Sequence, residues 1–288
     1  MAKKRDSVRD LLRVRPGLSD PTAYPTDEVF GAPGNKAKTL AALTDVSGPA
    51  IASLQEKFFA ASTVPTEPGS ERRILLVLQG MDTSGKGGVI DHVVGQLGPS
   101  GTSIASFKKP TPEELAHHFL WRIRRKLPAA GQVGVFDRSH YEDVLVVKVH
   151  GVIDDAECAR RYEEINQFEA SLIDSGTTII KCFLNISYGE QRSRLLARLD
   201  DPTKHWKFHE GDIDERAFWT DYMTAYAGVL ANTSTDAAPW YVIPSDRKWY
   251  RNWVISELLR ETLVEIDPKY PATDLDVRRL RRRLKPPN

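Results

Sequence analysis

The run Gln79-Gly80-Met81-Asp82-Thr83-Ser84-Gly85-Lys86-Gly87-Gly88 follows the apolar stretch Ile74–Leu78 and precedes a helical pattern that opens near Val89. Gly-x4-Gly-Lys between a strand and a helix reads as a phosphate-binding loop. The glycines let the backbone curl so that its N–H groups point inward, and the helix N-terminus behind them favours an anion. Gly80, Thr83, Ser84, Gly85, Lys86, Gly87 and Gly88 are therefore the candidate phosphate-binding residues, with Lys86 long enough to reach the group being moved. A chance glycine-rich turn is the alternative, and the placement between strand and helix argues against it.

The loop departs from the general pattern in one respect. The Ser or Thr that normally follows the lysine and touches Mg²⁺ is here Gly87. Another residue must then hold the metal, and Asp82 is a candidate. A carboxylate among phosphate-binding amides is repulsive unless a cation sits between them. The alternative is that Asp82 caps the following helix.

Working outward, five short apolar runs are separated mostly by helical stretches: Ile74–Leu78, Ser103–Phe107, Val133–Phe136, Thr178–Leu184 and Tyr241–Ile243. Such runs indicate a parallel sheet covered on both faces, an α/β fold of about five strands. Helices are expected at Val89–Leu97, Pro112–Lys126, His140–Val149, Ala156–Asp174 and Gly189–Arg198. The segment from about 200 to 238 lacks strand character and reads as a helical lid inserted before the last strand. Residues 1 to about 36 read as surface chain without regular structure. From Lys38 to Ala61 the apolar spacing suggests helix, interrupted near Gly48-Pro49. The expected division is 1–69 as an N-terminal extension with helices and 70–288 as the core with its lid.

The run Val133-Gly134-Val135-Phe136-Asp137-Arg138-Ser139 is a second strand, ending in an acid. Carboxyl ends of parallel strands line the ligand crevice, so Asp137 should face the loop and share metal with Asp82. Arg138 is placed to neutralise a moving phosphoryl group, or else to pair with a neighbouring surface acid.

Bulk properties narrow the function. The formal net charge of +1 excludes a globally basic nucleic-acid binder. No apolar run approaches the roughly 18 residues of a membrane span. Met1 to Arg15 is basic with no apolar stretch behind it, so it is not a secretory signal. Only Cys158 and Cys182 occur, and Cys182 sits in an apolar run as a buried thiol. Together these point to the cytoplasm. The basic tail Arg278 to Lys285 reads as a solvated helix end.

Three motifs in order carry a resemblance. The loop 79–88, the run Phe136-Asp137-Arg138-Ser139-His140-Tyr141-Glu142-Asp143-Val144-Leu145, and the segment Arg198 to Phe208 with Pro239 to Asp246 closely resemble the polyphosphate kinase 2 family, from about Ser53 to Ile266. Gly87 is what that family shows. The resemblance implies a P-loop kinase core with a helical lid, and phosphoryl transfer between inorganic polyphosphate and a nucleoside mono- or diphosphate. It implies Mg²⁺, with Mn²⁺ as an alternative, and a homodimer or homotetramer. Asp82, Lys86, Asp137 and Arg138 match catalytic positions, while Glu142, Lys204 and Lys207 fall on the nucleotide and lid side. The Ser-His-Tyr-Glu version of the second motif looks like the branch that phosphorylates AMP and ADP, although many of that branch carry Asn where this chain has Asp137.

The acceptor in such a reaction is a phosphate oxygen that is already anionic, so no general base is needed. Polyphosphate carries roughly one charge per phosphate and should run along Lys and Arg. Lys108, Lys109, Arg122 and Arg125 are the candidate channel, Arg122 and Arg125 sharing a helical face at i, i+3; a solvated helix is the alternative. His205 and His209 have metal-ligand spacing but no third ligand nearby, which favours an ordinary polar lid. Trp206, Trp219, Tyr222 and Tyr226 can stack on a base, and the last three also have helix-core spacing.

Overall fold

The computed structural model describes residues 7–15 and 17–284. Its strands lie where the apolar runs place them: β1 (Arg73–Gln79), β2 (Thr102–Ser106), β3 (Val133–Asp137), β4 (Thr177–Asn185) and β5 (Trp240–Pro244). All four pairings are parallel, in the order β2-β3-β1-β4-β5. Ile74 to Leu78 of β1 are wholly buried, which explains why that run is continuous rather than alternating. Each such side chain contributes about 1.5–3 kcal/mol of burial free energy. The chain leaves β1 for β2 on one side and returns to β4 on the other, so the crevice over β1 is the topological switch point.

Two apolar layers cover the sheet. One contains Phe136, Phe168, Phe183, Tyr226 and Trp240, with the helices Asp155–Asp174 and Trp219–Thr233. The other contains Val89, Val135, Tyr250, Val254 and Leu258, with the helices Gly48–Ser62 and Lys248–Ile266. The helix Lys248–Ile266 is absent from the expected set. It is buried along its length, and a helix apolar on most sides shows no one-sided stripe. Cys158 and Cys182 are buried free thiols.

Four expectations are corrected. Residues 7–15 are not loose surface chain. Val8–Leu12 is a helix that buries Val8 and Leu12, and Arg13 pairs antiparallel with Tyr241 beside the β5 edge. The Lys38–Ala61 pattern is a helix over Lys36–Ala42, a wider turn over Leu43–Ser47 and a helix from Gly48. Pro49 has no N–H for the carbonyl four residues back, and the chain rewinds there. Pro112–Lys126 is two single turns, Pro112–Leu115 and Trp121–Arg124, because the break lets Leu120 and Ile123 reach the core. His140–Val149 is likewise a 3₁₀ turn over His140–Asp143 followed by Val146–Val149. At the C-terminus a helix spans Val277–Arg283, and Lys285 lies outside the described residues. No helix among the described residues is long and apolar enough to cross a membrane.

Candidate active site

Backbone geometry at the end of β1 requires its glycines. Gly80 has φ 149°, and a Cβ there would lie 2.8 Å from the Leu184 carbonyl oxygen and 2.8 Å from Ser84 Oγ. Gly85 has φ 112° and heads the helix Lys86–His92. Gly87 differs, since nothing lies within 4 Å of its Cβ position. A Ser or Thr would fit there, so its absence is not steric.

Lys86 is buried, and its ammonium donates to the carbonyls of Gly80 (2.7 Å) and Met81 (3.4 Å). Burial and then the Arg138 charge push its pKa down, against the pull of Asp82, Asp137 and Glu142. The β1–β3 register sets Leu78 beside Asp137, which puts that acid at the mouth of the loop. The next residue, Arg138, has φ 64°, a conformation that a non-glycine side chain adopts at some cost. Its backbone N–H donates to the Leu78 carbonyl (3.0 Å), and its Nη2 donates to Asp82 Oδ1 at 2.7 Å. The left-handed turn thus aims the guanidinium into the crevice rather than along the surface.

These contacts settle what local sequence left open. Arg138 pairs with the loop acid and not with a surface neighbour. Asp82 does not cap the following helix, whose N-terminus makes no side-chain cap hydrogen bond. Burial pushes the Asp82 carboxyl up, but the charges of Lys86 and Arg138 outweigh it and hold the group below its ordinary 3.8. Glu142 forms another wall, and burial raises its carboxyl despite Arg138 and Lys86.

Among the described residues no three His, Cys, Asp or Glu side chains converge as a metal cage. Small hard cations are often held by one or two carboxylates plus substrate phosphates. Asp82 and Asp137 meet that description, and the buried hydroxyls of Thr83 and Ser84 have no partner of their own. The donor set therefore fits a divalent ion held jointly with a phosphate chain.

The segment read as a lid supplies the facing wall. Asp212 and Glu215, from the helix Gly211–Ala217, join Tyr222 and Tyr226 in lining the crevice. Burial and the Asp82 charge raise the Asp212 carboxyl, which Arg198 pairs at 3.3 Å. Tyr226 is core, packed on Phe183 with ring centroids 4.3 Å apart, whereas Tyr222 is half-buried and donates to Glu215 at 2.6 Å. Trp219 meets Tyr188 edge-on at 5.2 Å. Lys204 and Lys207 are not brought to the crevice in this conformation. They lie on an exposed turn, Pro202–Lys207, Lys204 paired with Asp201 at 2.5 Å and Lys207 over the ring of Trp206, which is 74% exposed. His205 Nε2 sits 2.9 Å from the Leu199 carbonyl.

The basic cluster divides in two. Lys108, Lys109 and Arg125 are exposed, Arg125 stacking on Trp121 at 4.6 Å. Arg122 is only 6% exposed, bonded to Asp143 at 3.3 Å and to the Lys108 carbonyl at 2.8 Å. Although both lie on one turn, it shares no open face with Arg125, because its guanidinium is drawn inward to Asp143 and the Lys108 carbonyl. Its guanidinium holds the loop that presents Lys108 and Lys109.

The family model described as Polyphosphate kinase 2 matches residues 49–271. The chain belongs to that family. An AMP/ADP-polyphosphate phosphotransferase of Meiothermus ruber is 43% identical over 263 residues, covering 91% of this chain and 95% of that one. An ADP-polyphosphate phosphotransferase of Rhodopseudomonas palustris is 40% identical over 235 residues, 77% of this chain and 78% of the other. The crystal structure of polyphosphate kinase 2 from Arthrobacter aurescens superposes with a TM-score of 0.92 at 47% identity, covering 98% of each chain.

In this member of the polyphosphate kinase 2 family, sequence reasoning missed the residues that hold the loop from behind. Arg194 donates through Nη1 to the Thr83 (2.9 Å) and Ser84 (3.0 Å) carbonyls. Its Nη2 donates to those of Ser245 (2.6 Å) and Asp246 (2.9 Å). Gln191 donates to the Asp82 carbonyl at 3.2 Å, and Arg251 to that of Ser84 at 3.0 Å. Side chains that bond backbone carbonyls leave no spacing signature. The available hint was Arg251, three and four residues ahead of Val254 and Ile255 on a buried helix face.

Proposed function

We propose that the protein moves a phosphoryl group reversibly between inorganic polyphosphate and ADP or AMP. The carrying observation is the meeting of Lys86, Arg138, Asp82 and Asp137 at the ends of adjacent parallel strands, at the mouth of a glycine-shaped phosphate loop. Relatives named for AMP/ADP and ADP acceptors support both nucleotides.

Two polyanions must be brought together, so the protein's task is positioning and charge cancellation. Loop N–H groups and Lys86 would cradle one phosphate chain, and Arg138 would swing from Asp82 onto the transferring group as negative charge spreads over its oxygens. Mg²⁺, held by Asp82 and Asp137 together with phosphate oxygens, would screen the repulsion between the chains; Mn²⁺ suits the same oxygen ligands. The acceptor oxygen is already anionic, so no side chain has to take a proton. The segment from about 200 to 238 would close over the nucleotide, bringing Lys204 and Lys207 to its phosphates and excluding water. Lys108, Lys109 and Arg125 would guide the donor chain, with Arg122 fixing the loop beneath them.

We place the enzyme in the cytoplasm as a homodimer or homotetramer, binding neither nucleic acid nor membrane. Two buried free cysteines and a net charge of +1 support the location and the lack of nucleic-acid binding. The test is incubation with Mg²⁺ and polyphosphate, offering AMP, ADP, GMP and GDP separately and ATP as an alternative donor. ADP or ATP formed only from polyphosphate supports the reading. Transfer from ATP but not from polyphosphate rejects it.

A further inference from the structure

Arg251 is 2% exposed, yet no carboxylate pairs with it among the described residues. Its partners are neutral: the Ser84 carbonyl (3.0 Å) and Asn252 Oδ1 (3.1 and 2.9 Å). Arg194 is 8% exposed and lies close enough that, after burial itself, it is the main influence pushing Arg251 down to about 9. Only Arg194 has an acid, Glu190 at 2.8 Å. Arg251 also stands in the first turn of the helix Lys248–Ile266, a turn without an acid, and Lys248 precedes it. Cations at a helix N-terminus oppose the macrodipole. A buried guanidinium without an anion is costly, so this corner of the fold carries unbalanced positive charge on three counts.

The place of that charge is specific. A Cβ at Gly85 would overlap the Arg251 guanidinium, and one at Gly88 would lie 2.7 Å from its Nη2. Arg251 thus fills the space directly behind the loop, against the Ser84 carbonyl. We propose that Arg251, together with Arg194, is a fixed positive charge beneath the loop that touches no phosphate but raises the loop's affinity for an oligophosphate chain. It is a positioning and electrostatic residue, and its missing counter-ion is the bound chain itself. Low-dielectric surroundings let the charge act through the loop with little solvent screening. The inference rests on the phosphoryl-transfer reading but needs no turnover to test.

The sign of two measurements separates this role from simple bracing. Ser84's carbonyl also accepts from Arg194 at 3.0 Å, so Arg251→Met leaves it satisfied and strands one neutral acceptor, Asn252 Oδ1, in exchange for removing the charge. Without ligand, Arg251→Met should therefore unfold at the same temperature as the parent or higher, having lost an unpaired buried charge. Calorimetric titration should show tripolyphosphate or ADP, whichever chain the loop holds, bound about tenfold more weakly. Arg251→Lys, which keeps the charge and loses the fork, should keep most of the affinity and guards against misfolding of the Met variant. Unchanged affinity for both ligands in Arg251→Met, or in Arg251→Gln should the Met variant not fold, overturns the proposal while leaving the transfer reaction intact. Equal loss in the Lys and Met variants also overturns it, since the guanidinium geometry and not its charge would then matter.

Discussion

Replacing Asp82 by Asn separates the carboxylate's charge from its shape. The side chains of Asp82 and Arg138 are 31% and 36% exposed, so their 2.7 Å pair is a half-exposed ion pair. Such pairs contribute about 0–1 kcal/mol to stability, and the variant should fold with at most a few degrees' change in Tm. The effect on chemistry is larger. A carboxylate about 4 Å from a cation is stabilised by about 4 kcal/mol at an effective dielectric of 20. Losing roughly two-thirds of that, about 2.7 kcal/mol, slows the reaction about a hundredfold. Asp137→Asn should behave alike, as the second oxygen ligand proposed for the metal. The assay is kcat/KM for ADP over a full magnesium titration, with circular dichroism to check the fold. The pH profile adds a sign. Because Asp82 is held below its ordinary 3.8, parent activity carried by this carboxylate should persist down to about pH 4 and fall only below it. If either variant stays within threefold of the parent at saturating magnesium, the metal and charge assignment is wrong.

Three further outcomes follow from the contacts. Arg125→Glu should keep stability within about 0.5 kcal/mol and raise the polyphosphate KM far more than the nucleotide KM, more so with added salt. Arg122→Glu, facing Asp143 in a buried site, should cost about 3–5 kcal/mol in urea unfolding; equal, mild effects of both variants would contradict the division of the cluster. Glu169 is buried between Lys181 (2.6 Å) and His140 (3.1 Å). Glu169→Gln should likewise cost about 3–5 kcal/mol by stranding Lys181. Burial raises the Glu169 carboxyl, but Lys181 and His140 hold it below 4.5. Its contribution is complete above about pH 4.5 and is lost as pH falls through the folded value, so a parent–variant difference that grows with acidity would refute the pairing. Lys204→Ala with Lys207→Ala should lower kcat and raise the nucleotide KM with stability within about 0.5 kcal/mol. Hydrogen exchange over Asp200–Phe208 should slow when nucleotide is added; protection there without ligand, unchanged with it, would mean fixed structure instead of a lid.

The strands and the loop were legible because each is a local pattern. A fully buried parallel strand must be a continuous apolar run, and the loop's curvature demands glycine where Gly80 and Gly85 stand. Asp137 was legible because register follows from the strand it ends. What escaped depends on tertiary context. The break after Leu115 yields to burial of Leu120 and Ile123, which local propensity does not encode. The helix Lys248–Ile266 is buried on too many sides to show amphipathicity. Helix Val8–Leu12 is short, and its Val8 and Leu12 are buried by helix Lys248–Ile266, which was itself unseen. Arg122 looked like channel because its partner Asp143 lies 21 positions away. Arg194 and Arg251 bond carbonyls, which every residue possesses, so no residue type marks their targets. Asp212 and Glu215 reach the crevice only because their helix folds back over the strand ends.

The terminal phosphoryl group of the nucleotide product should come from polyphosphate. Radiolabelled polyphosphate, unlabelled ADP and magnesium should yield ATP with label in its terminal phosphoryl group alone, and AMP should yield ADP labelled at its β-phosphoryl. Label that appears only in orthophosphate, or nucleotide product without label, would contradict the account.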